Sequence, residues 1–243
     1  FDQRRAIVRA GGFSRAAFEG LAGLGLTALA VSEAHGGLGF GPVEAMVVME
    51  ELGRGLVLEP YAQAGLVAPA VLAHAPADVQ ADWLPRIAAG EALLVLAQQE
   101  RGARYRLDHC ATSASADHRL SGAKSLVAVA DQADAFIVPA RSAAGLALYL
   151  VAKDAPGLST RAYSLQDGSR AGDLTLMDCP ATLLVGPEQG LTVLELAQDV
   201  AIAAQCAEAV GVMDKLVLLT ADYLNTRKQF GVPITSFQAL RHR

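Results

Sequence analysis

The sequence contains few of the residues that mark disulfide-rich, metal-binding or nucleic-acid-binding proteins. Aromatic residues make up 5% of the 243 positions, and the three cysteines, Cys110, Cys179 and Cys206, have no paired or C-x-x-C spacing. A disulfide framework or a zinc site is therefore not expected. Charged residues account for 19% of the chain and the net charge is −5, which gives no general electrostatic basis for binding nucleic acid or an anionic membrane.

The sequence also lacks a signal-like segment and an apolar run of about 18 residues, the length needed for a membrane-spanning helix. Its apolar content of 52% is enough for a large buried core. We therefore expect a metabolic protein of the reducing cytoplasm that holds no metal and contacts no membrane.

A change in hydrophobic period divides the sequence into three zones. Residues 1–93 follow a helical period, with Pro42 suited to the first position of a helix that ends near residue 54. Residues 94–188 contain short apolar runs separated by Gly, Pro, Asp and Ser, which predict strands. The clearest runs are residues 135–138, 146–151 and 174–177. From residue 189 to 243 the helical period returns, so the predicted class is α+β.

The most informative segment is residues 223–243. Apolar residues at helical spacing extend from about residue 191 to 228 without a proline, and Gly231 and Pro233 are expected to end that helix. Arg227 would then lie in the last turn, where a cation suits the negative end of the helix dipole.

Thr235 and Gln238 have the spacing of a capping box that begins a second helix. One interpretation makes Arg227 and Gln238 ordinary helix caps. In the other, the guanidinium of Arg227, the ring of Phe230 and the amide of Gln238 lie on one tight turn. These groups supply the phosphate pairing, stacking and hydrogen bonding that a dinucleotide requires.

The run from Arg227 through Gln229 and Phe230 to Gln238 resembles the flavin-binding signature of the acyl-CoA dehydrogenases. The resemblance implies FAD as cofactor and an acyl-CoA thioester as substrate. It also implies that these four residues contact the FAD of a neighbouring protomer, so that the protein works as a homo- or hetero-oligomer, a dimer or tetramer. An electron-transfer flavoprotein is the implied oxidant.

Other segments extend the resemblance over essentially the whole chain. Residues 31–39 resemble the family's Pro-Glu-x-x-Gly-Gly-x-Gly loop, and residues 120–124 its Asn-Gly-x-Lys strand. The implied fold has an N-terminal helical domain (1–93), a middle β domain (94–188) and the start of a C-terminal helical bundle (189–243). Because only about one and a half of the bundle's four helices follow residue 190, we expect the sequence to be part of a longer protein.

The middle domain departs from the family pattern at the flavin. The two hydroxyl positions of the Thr-Glu-Pro-x-x-Gly-Ser-Asp loop correspond to Gln99 and Tyr105. The tryptophan and threonine of the Lys-x-Trp-Ile-Thr strand correspond to Leu126 and Ala128. The resemblance assigns cofactor contacts to Gln99, Leu126 and Ala128 and a substrate contact to Tyr105, with backbone amides left to serve the flavin.

The catalytic base is a second departure. Dehydrogenation removes an α-proton while a hydride leaves the β-carbon, so a carboxylate with a raised pKa is needed. In most family members that glutamate lies in the part of the bundle beyond this sequence. In others it lies on the helix before the signature, where this chain has Ala201, with Glu195 and Glu208 as the nearest carboxylates. The base is therefore expected outside this sequence or on a partner.

Two hypotheses remain open. The chain is either a divergent active subunit or the cofactor-poor subunit of a heteromeric dehydrogenase, which completes its partner's FAD site. The family includes such paired subunits for steroid side chains and for dicarboxylates such as pimeloyl-CoA, and the small subunit of the pimeloyl-CoA type is the specific expectation.

A basic cluster either binds a CoA phosphate or a diacid carboxylate, or is solvated surface charge. Its members are Arg101, Arg104, Arg106, Arg241, His242 and Arg243.

Overall fold

The computed structural model of the chain describes residues 2–242, so Arg243 of the basic cluster lies outside the described residues. The α-helices are α1 (Asp2–Arg9), α2 (Arg15–Gly23), α3 (Pro42–Gly55), α4 (Ala68–Leu72), α5 (Ala77–Ala88), α6 (Gly190–Thr226) and α7 (Gln238–Arg241). A π-helical turn, Ala62–Val67, precedes α4, and 3-10 turns form at Glu33–His35 and Ile234–Ser236.

The helix predicted from Pro42 is confirmed as α3. Pro42 occupies the first helical position, where its missing N–H costs no hydrogen bond. The backbone N–H of Gly41 donates to Oε2 of Glu44 at 3.0 Å and ties the entry to the first turn. Leu56 then leaves the helix in the left-handed region at φ 50°.

The middle of the chain forms a mixed sheet. Its strands are β1 (Leu94–Leu96), β2 (Ser113–Ala114), β3 (Arg119–Ala128), β4 (Ala135–Ser142), β5 (Gly145–Ala152), β6 (Leu158–Ser164), β7 (Arg170–Pro180) and β8 (Thr182–Val185). The order is β6-β7-β3-β2-β4-β5-β8, with β1 parallel beside β4. The three predicted runs are confirmed as parts of β4, β5 and β7, and the α+β class is confirmed with them.

Strand β4 shows how the sheet joins the helices. Ala135 and Ile137 point to a core shared with α4, α5 and the start of α6, including Leu194. Phe136 and Val138 alternate with them and fill a second core inside the sheet. Because successive side chains of a strand face opposite sides, one buried strand connects the helical layer to the β layer.

Helices α3 and α6 cross closely because each has a glycine at the contact. A Cβ atom on Gly53 would overlap the carbonyl oxygen of Glu208, and one on Gly211 would overlap that of Glu50. Arg54 of α3 also pairs with Asp214 of α6 at 2.9 Å. The crossing holds the N-terminal helices against the first half of α6.

Beyond this crossing the described residues of α6 are largely exposed. The buried residues that the structure describes in α6 end at Gly211. The second half of α6 exposes a run of large apolar side chains: Met213 (56%), Leu216 (61%), Val217 (66%), Leu218 (56%), Leu219 (49%) and Tyr223 (58%). Within residues 2–242, no helix combines the length and apolarity needed to cross a bilayer.

Candidate functional site

The C-terminal turn differs in detail from the sequence prediction. Helix α6 ends at Thr226, not near residue 228, so Arg227 is the C-cap, in extended conformation (φ −72°, ψ 123°). The prediction that Arg227 lies in the last turn is therefore wrong. The helix ends early because residues 228–233 form a two-stranded hairpin of β9 (Lys228–Gln229) and β10 (Val232–Pro233).

The predicted capping box is also wrong. Thr235 lies inside the 3-10 turn, and Phe237 is the N-cap of α7 without a side-chain hydrogen bond to the helix. The hydroxyl of Ser236 donates to the carbonyl of Pro233 at 2.7 Å instead. Gln238 is consequently the first residue of a four-residue helix, and its side chain is not used in a capping box.

The hairpin presents the predicted cofactor residues to solvent. Arg227, Gln229, Phe230 and Gln238 are all exposed, Phe230 at 92%. Phe230 adopts φ 54°, in the left-handed region that disfavours a side chain. Its ring meets the Phe237 ring edge to face, with centroids 6.2 Å apart. A large aromatic is therefore held outward at the tip of a strained turn.

Arg227 keeps its guanidinium available. Its backbone N–H donates to the Tyr223 carbonyl at 2.8 Å, and its carbonyl accepts from the N–H of Ile234 at 2.9 Å. Among residues 2–242 the guanidinium itself has no hydrogen bond or ion pair within the chain. An unpaired guanidinium beside an exposed ring fits the diphosphate and the flat ring systems of FAD.

Two of the predicted residues of the middle domain, Leu126 and Ala128, lie at a central cavity of about 550 Å³. We use this name for the space between α3, the end of β3 and α6. Leu126 and Ala128 line it from β3, and Ala201, the alternative base position, lines it from α6. The fold thus brings three of the positions selected by the resemblance to one cavity. Gln99, by contrast, lies in the adjoining loop.

A buried ion pair fixes that loop to the sheet. The ammonium of Lys124 donates to Oε1 of Glu100 at 2.7 Å, with both side chains buried. Glu100 also accepts from the hydroxyl of Thr112 at 2.7 Å and from the N–H of Ala111 at 2.7 Å. Burial alone raises the pKa of Glu100, but these partners outweigh it and lower the pKa to about 2. The pair locks the loop that carries Gln99 against β3.

The donors expected to serve a flavin in this domain are already engaged. The N–H of Leu126 donates to the Tyr163 hydroxyl at 3.2 Å, and that hydroxyl donates to Asp173 at 2.9 Å. The side-chain amide of Gln99 donates to the Arg104 carbonyl at 3.1 Å. Because the tryptophan and threonine of the family pattern are also missing, the residues around Leu126 do not fit the flavin ring. The C-terminal turn does fit the cofactor.

Two glutamates lie at the central cavity. Glu208 lines it from α6, and burial, followed by the charge of Asp167, raises the pKa of its carboxyl group. Glu59, which the sequence reasoning missed, also lines it and is 7% exposed. Glu195, the other carboxylate considered on α6, is exposed. The sequence signal for Glu59 is weak, since a glutamate before a proline reads as a loop residue.

The remaining predicted contacts lie at the surface. Tyr105 is fully exposed, so its substrate contact stays a prediction. Arg101 pairs with Asp173 at 3.1 Å and Arg106 with Asp108 at 2.8 Å. The described C-terminal members of the basic cluster are exposed at the end of α7. Because two of its arginines are paired within the middle domain, a joint anion site of the whole cluster also stays a prediction.

Known proteins share the sequence pattern and the fold. The family profile described as acyl-CoA dehydrogenase, N-terminal domain, matches residues 2–91, and the C-terminal domain profile matches residues 188–243. Acyl-CoA dehydrogenase FadE27 of Mycobacterium tuberculosis is 30% identical over 234 residues, which are 95% of this chain and 61% of that protein. The chain therefore spans about three fifths of the length of this relative.

Two solved assemblies are similar in both sequence and structure. The Tcur3481-Tcur3483 steroid ACAD variant has a TM-score of 0.89 and 34% identity, covering 99% of this chain and 66% of that one. The ChsE4-ChsE5 complex from Mycobacterium tuberculosis has a TM-score of 0.85 and 30% identity, covering 95% of this chain and 63% of that one.

Proposed function

Because the chain belongs to the acyl-CoA dehydrogenase family, we propose that it serves in the FAD-dependent α,β-dehydrogenation of an acyl-CoA thioester. We propose that it acts as one subunit of a heteromeric enzyme in the cytoplasm, with the three domains divided at residues 93/94 and 188/189. When bound, FAD supplies the acceptor for the hydride that leaves the β-carbon as a base removes the α-proton.

One observation carries this proposal: among the described residues the guanidinium of Arg227 has no partner, and Phe230 on the same turn is 92% exposed. In the proposed enzyme, Arg227 pairs with the cofactor's diphosphate, Phe230 stacks on a ring system, and Gln229 and Gln238 donate amide hydrogen bonds. The exposed apolar run of α6 continues into this turn and supports an oligomer that covers both.

The role of a completing subunit follows from the contrast between the two sites. The turn offers groups suited to FAD, whereas the residues around Leu126 are hydrogen-bonded to other residues of the chain, and Leu126 replaces the family's stacking tryptophan. Such a chain contributes its turn to the FAD site of a partner and does not itself hold a flavin ring firmly. The two assemblies with 34% and 30% identity are both named as pairs of chains, which supports this arrangement. An electron-transfer flavoprotein is the proposed oxidant.

A second candidate, a self-sufficient enzyme, is favoured by one observation. Glu208 lines the same cavity as Ala128 and Ala201, and burial followed by the charge of Asp167 raises the pKa of its carboxyl group. A raised carboxyl pKa suits a general base. In this alternative, Glu208 removes the α-proton, because position 201, where some family members carry the catalytic glutamate, is an alanine in this chain.

The flavin content of the purified protein tests both candidates. We expect substoichiometric FAD and little activity from the chain expressed alone, and an increase of both when a related subunit with the intact flavin motifs is co-expressed. Stoichiometric FAD that bleaches when acyl-CoA is added to the isolated chain would contradict the completing role. Loss of that bleaching in Glu208→Gln, but not in Glu195→Gln, would then identify Glu208 as the base.

A further inference from the structure

A bulge in β3 removes the Leu126 amide from the hydrogen-bond ladder of the sheet. The pairing of β3 with β7 shifts register between Lys124 and Val127, so Leu126 lies outside that ladder. Leu126 also adopts φ 55°, in the left-handed region that disfavours a side chain. Because a bulge leaves its extra residue unpaired, the N–H of Leu126 is available to a group outside the β3–β7 pair.

A network of four hydrogen bonds uses this amide. The hydroxyl of Tyr163 accepts from the Leu126 N–H at 3.2 Å and donates to Oδ1 of Asp173 at 2.9 Å. Oδ2 of the same carboxylate accepts from Arg161 at 2.9 Å and from Arg101 at 3.1 Å. The network joins β3, β6, β7 and the loop that follows β1. Asp173 is its centre, because three of the four bonds end on its carboxylate.

The network lines a cavity of about 390 Å³, which we call the middle-domain pocket. The lining includes three arginines and two residues that the family resemblance assigns to the flavin, Gln99 and Leu126. Asp173 is the one carboxylate among the described residues of this lining. Arg161, followed by Tyr163, lowers the pKa of the Asp173 carboxyl group to about 2. The carboxyl group is therefore ionised at neutral pH and brings a negative charge to the donors that a ligand would use.

We propose that Asp173 keeps flavin nucleotides out of the middle-domain pocket by taking the place of a ligand's anionic group. The inference rests on the proposed function of a completing subunit and adds the residue that prevents this chain from holding a flavin of its own. Two guanidinium groups converge on one oxygen of Asp173, as they can on a phosphate oxygen. A nucleotide would have to take those arginines and bring its phosphates beside an ionised carboxylate, which like charges oppose.

The ordinary interpretation is a set of surface ion pairs that stabilise the middle domain. Arg101 and Arg161 are 79% and 74% exposed, and pairs as exposed as these contribute little to stability. Asp173 is different, because its side chain is 18% exposed and it also holds the tyrosine that bonds the bulge amide. Loss of its charge should therefore leave the chain folded, and the specific consequence falls on the groups that a ligand would use.

Flavin titrations of the isolated full-length chain test the proposal, with dissociation constants taken from the change in flavin fluorescence. Asp173→Asn should bind FAD at least about tenfold tighter than wild type, because two arginines become free for phosphate. Tyr163→Phe frees the Leu126 amide but leaves both arginines on Asp173, so a gain of about fivefold is expected. Riboflavin has no phosphate and should gain from Tyr163→Phe but not from Asp173→Asn.

A matched control separates Asp173 from the general loss of a surface charge. Asp178 lies on the same strand and pairs with Arg119 at 2.8 Å, but it does not line the middle-domain pocket. Asp178→Asn should therefore bind FAD as wild type does. Melting curves report the folding of each variant. If Asp173→Asn does not fold, Asp173→Ser replaces it, since a serine also removes the charge and keeps an oxygen for the Tyr163 hydroxyl.

The outcomes distinguish this inference from the proposed function. Tight, stoichiometric FAD in the isolated wild-type chain would overturn both. Weak binding that is equal in wild type and Asp173→Asn would overturn the inference and leave the completing role intact. Equal gains in Asp173→Asn and Asp178→Asn would reduce the effect to net charge and overturn the assignment to Asp173. A gain in Asp173→Asn as large for riboflavin as for FAD would overturn the substitution of a ligand anion.

Discussion

Replacing Arg227 with alanine should weaken FAD binding without weakening the fold. The guanidinium is exposed and has no partner within the described chain, so its removal breaks no intramolecular side-chain bond. Surface substitutions of this kind usually change the free energy of unfolding by about 0.5 kcal/mol or less. In the proposed assembly the same group pairs with a diphosphate, and hydrogen bonds to charged groups contribute about 1.5 to 3 kcal/mol. FAD affinity should therefore fall by roughly 10- to 100-fold.

The assay compares three variants of the co-expressed assembly. FAD is removed and titrated back, its fluorescence quenching gives the dissociation constant, and a melting curve of the isolated chain reports folding. Arg227→Lys retains the charge but loses the planar fork, so its affinity should be intermediate. Lys228→Ala removes the neighbouring exposed cation on β9 and is the control for loss of charge. Its affinity should stay close to that of the wild type.

Two results would refute this reasoning. Unchanged FAD affinity in Arg227→Ala would mean that the guanidinium serves the end of α6 and not the cofactor. Equal losses of FAD affinity in Arg227→Ala and Lys228→Ala would mean that both residues act only through long-range charge. Salt would screen such an interaction with a decay length of about 10 Å at 0.1 M. Only a loss specific to Arg227 supports direct pairing with the diphosphate.

Two further predictions concern the framework that holds the site. Gly211→Ala places a methyl group against the Glu50 carbonyl, so α3 and α6 must separate, and we expect a loss of about 1 to 3 kcal/mol seen as a lower melting temperature. Gly20→Ala, where nothing lies within 4 Å, should match or exceed wild type, and a loss there as large as at Gly211 would contradict the packing argument. Because the pKa of Glu100 is lowered from 4.5 to about 2, its stabilisation is complete above pH 4.5 and is lost as the pH falls through 2, by about 2 kcal/mol at pH 3. Urea titrations at pH 7 and pH 3 should show a smaller difference for Glu100→Gln, and an unchanged difference would contradict the prediction.

The sequence predicted those parts of the fold that follow from local patterns. The alternation at residues 135–138 became β4 because Ala135 and Phe136 face two separate cores. Pro42 began α3 because its fixed φ and missing N–H suit only the first turn. The C-terminal signature was found because its residues are adjacent in sequence. Its exact conformation was not, since α6 ends at Thr226 with Arg227 as its C-cap, and the β9–β10 hairpin follows directly.

The composition of the central cavity could not be predicted in this way. Glu59 precedes a π-helical turn that contains Gln63, Gln98 follows β1, and Gln205 lies on α6. Each residue taken alone reads as a solvated polar side chain, and only the tertiary packing brings them to one space. The same holds for the bond from the Leu126 N–H to Tyr163, which joins strands β3 and β6. Sequence reasoning left that amide available to a flavin because its partner lies 37 residues away.

The contrast between the two sites has a physical basis in how an interface cofactor is held. One chain contributes the turn that contacts FAD, and the other contributes the domain that holds the flavin ring. These are separate groups, so one contribution can be lost without the other. Here the engaged donors around Leu126 stabilise the middle domain itself, because the Tyr163 hydroxyl and Asp173 satisfy one another without a ligand. Among the described residues the Arg227 guanidinium has no such partner, and the strained Phe230 contacts the Phe237 ring but stays 92% exposed. The free-energy cost of the strained backbone and the exposed ring is offset only when a second molecule covers the turn, which is why we infer a partner and not a self-contained fold.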